Sequence, residues 1–261
     1  MKIAVLNLMP NKRDTERQLL SLLREAGART RVTWLTTATY KSKNTDAKYL
    51  EKKYKTFDKV KNEKFDLFII TGAPVERMKF EEVAYWRELL QIMDAAAQNS
   101  LFRIYICWAA QAALYHFYGV KKKNLPQKCF GVFEQKIKNK NSIFYKNIPQ
   151  NFKMPHSRHA SFCRVTRRGL TVEAAFGREI SVISNAAKNS LFITGHPEYK
   201  SDTLHKEYVR DIAAGKPIKK PKNYYPGNNP ENTPQNVWRG AAVQFYKNII
   251  KRVKELQNET F

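Results

Sequence analysis

Three side chains in this 261-residue chain have the types and settings that nucleophilic chemistry needs: Cys107, His196 and Glu198. Cys107 follows the apolar run Arg103-Ile-Tyr-Ile and precedes Trp-Ala-Ala-Gln-Ala-Ala-Leu, a strongly helical stretch. A cysteine at a strand-to-helix turn stands at the carboxyl edge of an α/β sheet, beside a helix amino terminus. Backbone N–H groups and the helix dipole there favour a thiolate and stabilise a developing oxyanion. The competing reading is a small buried hydrophobe. A thiol nucleophile needs a base, and Leu191-Phe-Ile-Thr-Gly-His-Pro-Glu ends a buried strand and then presents His196. The strand end places that ring at the same edge as Cys107. Glu198, two residues on, reaches back to orient the imidazole and stabilise its charged form.

Other candidates carry less. Cys129 and Cys163 lack the strand-to-helix context and read as inert. Two histidines three apart, His156 and His159 in Pro155-His-Ser-Arg-His, with Cys163 downstream, offer a metal-ligating alternative. No further Cys/His pair completes a tetrahedral set, and Arg158 between them repels a dication, so no metal is expected. His116 and His205 fall on helical patterns and read as fillers. Thr71-Gly-Ala-Pro-Val-Glu follows a buried strand and offers backbone N–H groups to an anion, yet it is not a phosphate-binding loop. Lys128 and Arg210 suit a carboxylate or phosphate, but each is one cation among 47.

The elements that must position these residues follow from the apolar pattern. Runs at 3–8, 31–35, 66–70, 102–106 and 191–194 read as strands, several of them continuous enough to be buried on both faces. A helix is expected over 15–26, capped by Asp14 and stopped at Gly27, and another over 83–97 with an apolar stripe. A third is expected over 201–214, capped by Ser201, and a last over 238–256. Residues 121–172, rich in Lys, Asn and β-formers, read as hairpins inserted beside the main sheet. Residues 216–234 carry five prolines and read as a long loop. Alternating strands and helices imply βαβ units and a mostly parallel sheet flanked by helices. No repeat or linker divides the chain, so one domain over 1–261 is expected.

Composition excludes several classes. At 43% hydrophobic and 27% charged, the chain is neither disordered nor collagenous, and no apolar run approaches a membrane span. Three separated cysteines close no disulfide framework, which points to a reducing cytoplasm. The 47 Lys and Arg against 23 acids give a net charge of +24, concentrated locally at 121–123, 136–146 and 216–222. Such a surface attracts polyanions in a salt-dependent way, but no nucleic-acid-binding motif accompanies it. A specific nucleic-acid partner is therefore not expected.

Seven segments, in order and spanning nearly the whole chain, resemble the homoserine O-acyltransferase (homoserine transsuccinylase) family. They are Val5-Leu-Asn-Leu-Met-Pro-Asn-Lys, Ile70-Thr-Gly-Ala-Pro-Val-Glu, Ile106-Cys-Trp-Ala-Ala-Gln-Ala, Gly131-Val-Phe-Glu, Pro155-His-Ser-Arg-His, Thr194-Gly-His-Pro-Glu-Tyr and Asn223-Tyr-Tyr-Pro. The resemblance implies a flavodoxin-like sheet of the class I glutamine amidotransferase type. It implies ping-pong acyl transfer from an acyl-CoA co-substrate, without a cofactor, through an acyl-Cys107 with His196 as acid and base held by Glu198. Trp108 N–H and an amide of the Gly72 loop would form the oxyanion hole. Lys128, Ser157 and Arg210 fall on the family's substrate-binding positions, with Lys12 adding charge near the entrance. Glu76 matches the acetyl-selective members, so acetyl-CoA and L-homoserine are the expected substrates, in methionine biosynthesis. Short members of the family acylate serine, which leaves L-serine and cysteine biosynthesis as the alternative, and succinyl-CoA as the alternative donor. A homodimer is the implied assembly. The chain departs from the family in starting almost at its first strand and in carrying Trp238-Arg-Gly-Ala where Trp-Arg-Ser-His is usual. Glutamine-dependent amide chemistry by the same triad, or a basic nucleic-acid-binding module, are the competing functions.

Overall fold

A computed structural model describes residues 1–28, 30–40, 42, 44–163 and 165–259. The amino-terminal half alternates β1 (Ile3–Leu6), α1 (Lys12–Glu25), β2 (Val32–Thr36), α2 (Ala47–Lys53), β3 (Tyr54–Thr56), β4 (Phe65–Ile70), α3 (Trp86–Asn99), β5 (Ser100–Ile106) and α4 (Trp108–Tyr118). There follow β6 (Lys122–Ile137), β7 (Asn151–Phe162), β8 (Thr171–Phe176), β9 (Glu179–Asn185), β10 (Ser190–Ile193), α5 (Thr203–Ala213) and α6 (Arg239–Glu259). The strands form one sheet in the order β3-β2-β1-β4-β5-β10-β9-β8-β6-β7. The first six in that order run parallel, and the remaining four are added antiparallel. This is the mostly parallel, helix-flanked sheet expected from the sequence, with the β-rich insertion at 121–172 realised chiefly as the long β6–β7 pair.

Strand periodicity explains why both faces are covered. Ile3 and Val5, Leu67 and Ile69, and Phe102 and Ile104 turn to one face, where Leu19 and Leu22 of α1 and Phe245 and Ile249 of α6 bury them. Ala4 and Leu6, Phe68 and Ile70, and Tyr105 turn to the other, against Leu89 and Met93 of α3 and the alanines of α4. The small faces of Ala109, Ala110, Ala112 and Ala113, all fully buried, let α4 lie close on the sheet.

Helix boundaries differ from the expectations for local reasons. The Asn11 side chain caps α1 by accepting from the Asp14 N–H, so Asp14 lies in the first turn rather than at the cap. Phe80–Glu82 forms a 3-10 turn and Val83 is extended, which delays α3 to Trp86. Asp202, not Ser201, precedes α5, while Ser201 gives its carbonyl to the Tyr224 hydroxyl. An Arg252–Glu259 ion pair accompanies the extension of α6 beyond residue 256. The short α2 and β3 carry too little apolar periodicity to stand out in the sequence.

The proline-rich loop is fastened to the sheet. Lys222 bridges Gly131 of β6, donating to the Phe130 carbonyl and accepting from the Val132 N–H at 2.9 and 2.8 Å. Gly131 has φ of +145°, and a Cβ there would collide with the Lys222 backbone. Gly131→Ala is expected to cost about 2–3 kcal/mol in urea unfolding. Gly177→Ala, at φ of +51° with no atom near its absent Cβ, supplies the cost of conformation alone. Equal costs at the two sites would show that the loop yields freely.

Candidate active site

Cys107 caps α4 with φ of +54° and ψ of −116°, a conformation that costs a non-glycine residue about 1–3 kcal/mol. It is held there by the strand beneath. Ile106 pairs with Ile193 of β10, and the Cys107 N–H donates to the Ile193 carbonyl at 2.6 Å. The same pairing brings the end of β10 alongside, so His196 arrives next to the sulfur. The His196 N–H donates to the Pro155 carbonyl of β7 at 2.9 Å, which fixes the turn from the other side.

The three expected catalytic residues are brought together. His196 Nδ1 lies 2.7 Å from Glu198 Oε1, and the ring hydrogen-bonds with the Cys107 thiol. All three are buried. Burial pushes the Cys107 thiol up, and His196 pulls it part of the way back. Burial also opposes charge on the His196 ring, yet the sulfur and the Glu198 carboxylate outweigh it and hold the ring well above its usual range. Tyr199 stacks on that ring at 4.1 Å and 14°, limiting its rotation.

Gly72 lies against this group. A Cβ on it would be 3.0 Å from Cys107 Cβ and 3.6 Å from both Sγ and His196 Cε1, so only glycine lets the backbone approach the sulfur. Trp108, the first residue of α4, has an N–H with no carbonyl to meet inside the helix. Gly72 thus packs against the thiol, and Trp108 follows it in the chain.

Glu76 is buried beside the sulfur. The Cys107 thiol donates to its Oε1 at 3.5 Å, and Oε2 accepts from the His159 N–H at 2.8 Å. Burial raises its carboxyl above the ordinary value. The unfolded chain then ionises Glu76 first, so folding stability falls as pH rises from about 4.5 through the folded pKa. Glu76→Gln removes that loss. Its advantage in thermal or urea unfolding is expected to be near zero at pH 4 and on the order of 1 kcal/mol at pH 8. An advantage that shrinks with pH would contradict the assignment.

Lys128, Ser157 and Arg210 converge on two acids of α5 that the sequence reading passed over. Glu207 Oε1 accepts from Lys128 Nζ and from Ser157 Oγ, each at 2.6 Å. Arg210 donates to Asp211 at 2.9 Å while its side chain stays 62% exposed. Glu207 sits three residues before Arg210 and so shares its helix face, the one signal that could have found it. Lys12 is buried under Tyr54, donates to the Asn7 carbonyl, and has its pKa lowered to about 8 by burial.

His156 is fully buried with Phe133 and Phe176 against its ring, and burial holds it well below its usual pKa. His159 is turned to Arg77. Among the described residues no three His, Cys, Asp or Glu side chains gather as metal ligands. Cys129 is raised to about 11 by burial, and Cys163 is exposed at the surface. No helix among the described residues is long and apolar enough to cross a membrane.

Comparison with known proteins shows the family and the fold. Residues 1–257 match a family model described as homoserine O-succinyltransferase. The homoserine O-acetyltransferase of Acetivibrio thermocellus is 44% identical over 254 residues, 96% of this chain and 83% of that protein. That of a Geobacillus species is 42% identical over 256 residues, 96% of this chain and 84% of its own length. Among solved structures, a glutamine amidotransferase of Thermotoga maritima superposes with a TM-score of 0.62 at 12% identity, covering 97% of each chain. One from Methylobacillus flagellatus gives 0.60 at 9%, covering 98% of this chain and 94% of that one. The fold is thus class I glutamine amidotransferase-like, and the chain belongs to the homoserine O-succinyltransferase family and is an acyltransferase.

Proposed function

We propose that the protein transfers an acetyl group from acetyl-CoA to the hydroxyl of L-homoserine through an acyl-enzyme on Cys107. The observation that carries the reading is the buried Cys107–His196–Glu198 set beside Glu76. Cys107, deprotonated by His196, attacks the thioester carbonyl, and the oxyanion is met by the N–H groups of Trp108 and the Gly72 loop. The C–S bond to CoA breaks, and His196 returns its proton to the leaving thiolate. Homoserine then enters. His196 takes its hydroxyl proton, the oxygen attacks the acyl-Cys107 carbonyl, and the C–S bond breaks to release the O-acetyl product and restore the thiol.

Arg210 is exposed and suits a bidentate grip on the acceptor carboxylate. Glu207, between Lys128 and Ser157, complements an α-ammonium. Glu76 supports acetyl as the acyl group, because the distal carboxylate of succinyl would be buried against another carboxyl. Glu76→Gly is expected to reduce the acetyl-over-succinyl preference, read as the ratio of kcat/KM values, by about 10–100-fold. An unchanged ratio would remove Glu76 from acyl selection.

The activity is tested by following CoA release from acetyl-CoA with homoserine, with serine, or with no acceptor. Fast release with homoserine supports the reading. Preference for serine would move the acceptor assignment while leaving the acyl-enzyme chemistry in place, since one methylene is worth only about 1–3 kcal/mol of discrimination. Release with neither acceptor would overturn it.

A further inference from the structure

The proline-rich loop encloses an open groove of about 800 Å³ together with α5, lined by Tyr208, Ile218, Lys219, Lys220, Lys222 and Tyr225 among others, none of them acidic. Its cations are not spent on acids. Among the described residues Lys219, Lys220 and Lys222 have no carboxylate partner, and Lys220 donates only to the Asn228 carbonyl. The two acids of α5 that precede the loop are engaged elsewhere: Glu207 with Lys128 and Ser157, and Asp211 with Arg210 and Lys216. The loop is held rather than loose, by Lys216 on Asp211 at one end and by the Lys222 backbone on β6 in the middle. Tyr225 is buried and braced by His205 Nδ1 at 3.0 Å, and Tyr208 leans on it at 6.5 Å between ring centroids.

Register places this groove relative to the thiol. Lys222 pairs with Gly131, Gly131 pairs with His156, and His196 bonds the next residue, Pro155. At about 4.8 Å per neighbouring chain, the loop backbone lies within about 15 Å of the His196 turn. A pantetheine arm separates a thioester from its diphosphate by a comparable span, that of about four to five extended residues.

We propose that this groove seats the phosphorylated adenosine end of the CoA donor, with Lys219, Lys220 and Lys222 taking its phosphates and Tyr208 facing its adenine. The assignment rests on the acyl-CoA reading and names where that co-substrate is held. It gives part of the chain's excess positive charge a task.

Two readouts test it on the purified protein carrying Lys219→Ala, Lys220→Ala and Lys222→Ala together. A control carries Lys136→Ala, Lys138→Ala and Lys140→Ala, the same loss of charge at exposed sites elsewhere. First, binding of adenosine 3′,5′-bisphosphate is measured by calorimetry at low salt. The loop variant is expected to bind about tenfold or more weakly, and the control nearly as the unaltered protein does. Second, KM is measured for acetyl-CoA and for S-acetylpantetheine, which lacks the nucleotide. The loop variant is expected to raise KM for acetyl-CoA by a similar factor, with kcat and the KM for S-acetylpantetheine unchanged. Equal weakening in both variants, no weakening in the loop variant, or equal loss for both donors would overturn the assignment. Loop-dependent binding of the bisphosphate without turnover of either donor would leave the groove standing and refute the acetyl-transfer reading. Turnover of acetyl-CoA with unaltered binding in the loop variant would do the reverse.

Discussion

Cys107→Ala is expected to lower turnover of acetyl-CoA with homoserine by at least about 10⁴-fold, because the account has no other atom to carry the acyl group. The fold is expected to survive. The side chain is small, so its removal leaves a modest void costing about 1 kcal/mol. The strained backbone at φ of +54° is imposed by the Ile106–Ile193 pairing and by the helix that follows, not by the thiol. Cys107→Gly removes the same sulfur but relieves that strain, so it is expected to be equally inactive and about 1 kcal/mol more stable than Cys107→Ala. Steady-state assays with thermal unfolding separate the two effects. Residual activity within tenfold of the unaltered protein would remove Cys107 from the chemistry.

Glu198→Gln is expected to lower kcat by about 10³- to 10⁴-fold while preserving the fold. Glu198 Oε1 holds His196 Nδ1 at 2.7 Å and is buried with it, so its charge acts on the ring with little screening. A neutral amide still fills the space but no longer stabilises imidazolium or enforces one tautomer. The sign of the pH effect follows. Glu198 is among the groups that raise the His196 pKa, and removing its charge lowers that pKa. His196 accepts a proton only in its neutral form, so the acidic limb of the kcat profile is expected to move to lower pH in the variant. A limb that stays in place or moves upward would show that Glu198 does not govern the ring.

The main sheet was legible because its strands are continuous apolar runs at the ends of which chemistry-bearing residues stand. Cys107 after Ile106 and His196 after β10 were placed at one edge by strand ends alone, and β5–β10 pairing is what makes them neighbours. The sequence could not show that pairing, since β10 arrives only after four antiparallel-sheet elements have intervened. Glu207 was missed for a related reason. On a helix it is one acid among others, and only the approach of β6 and β7 brings Lys128 and Ser157 to it. Lys12 was tied to the site by the resemblance alone; its burial, which rests on Asn7, Glu16 and Tyr54 as polar and aromatic partners, has no signal in the sequence. Helix starts shifted by a few residues where side chains such as Asn11 competed for the cap.

The most direct test of the acyl-enzyme is intact-mass analysis of the protein after brief mixing with acetyl-CoA in the absence of any acceptor. One acetyl group per chain is expected, located on Cys107 by peptide mapping, absent from Cys107→Ala and discharged when homoserine is added. An enzyme that turns over with homoserine yet never carries an acetyl group, or carries it on another residue and passes it on from there, would contradict the account.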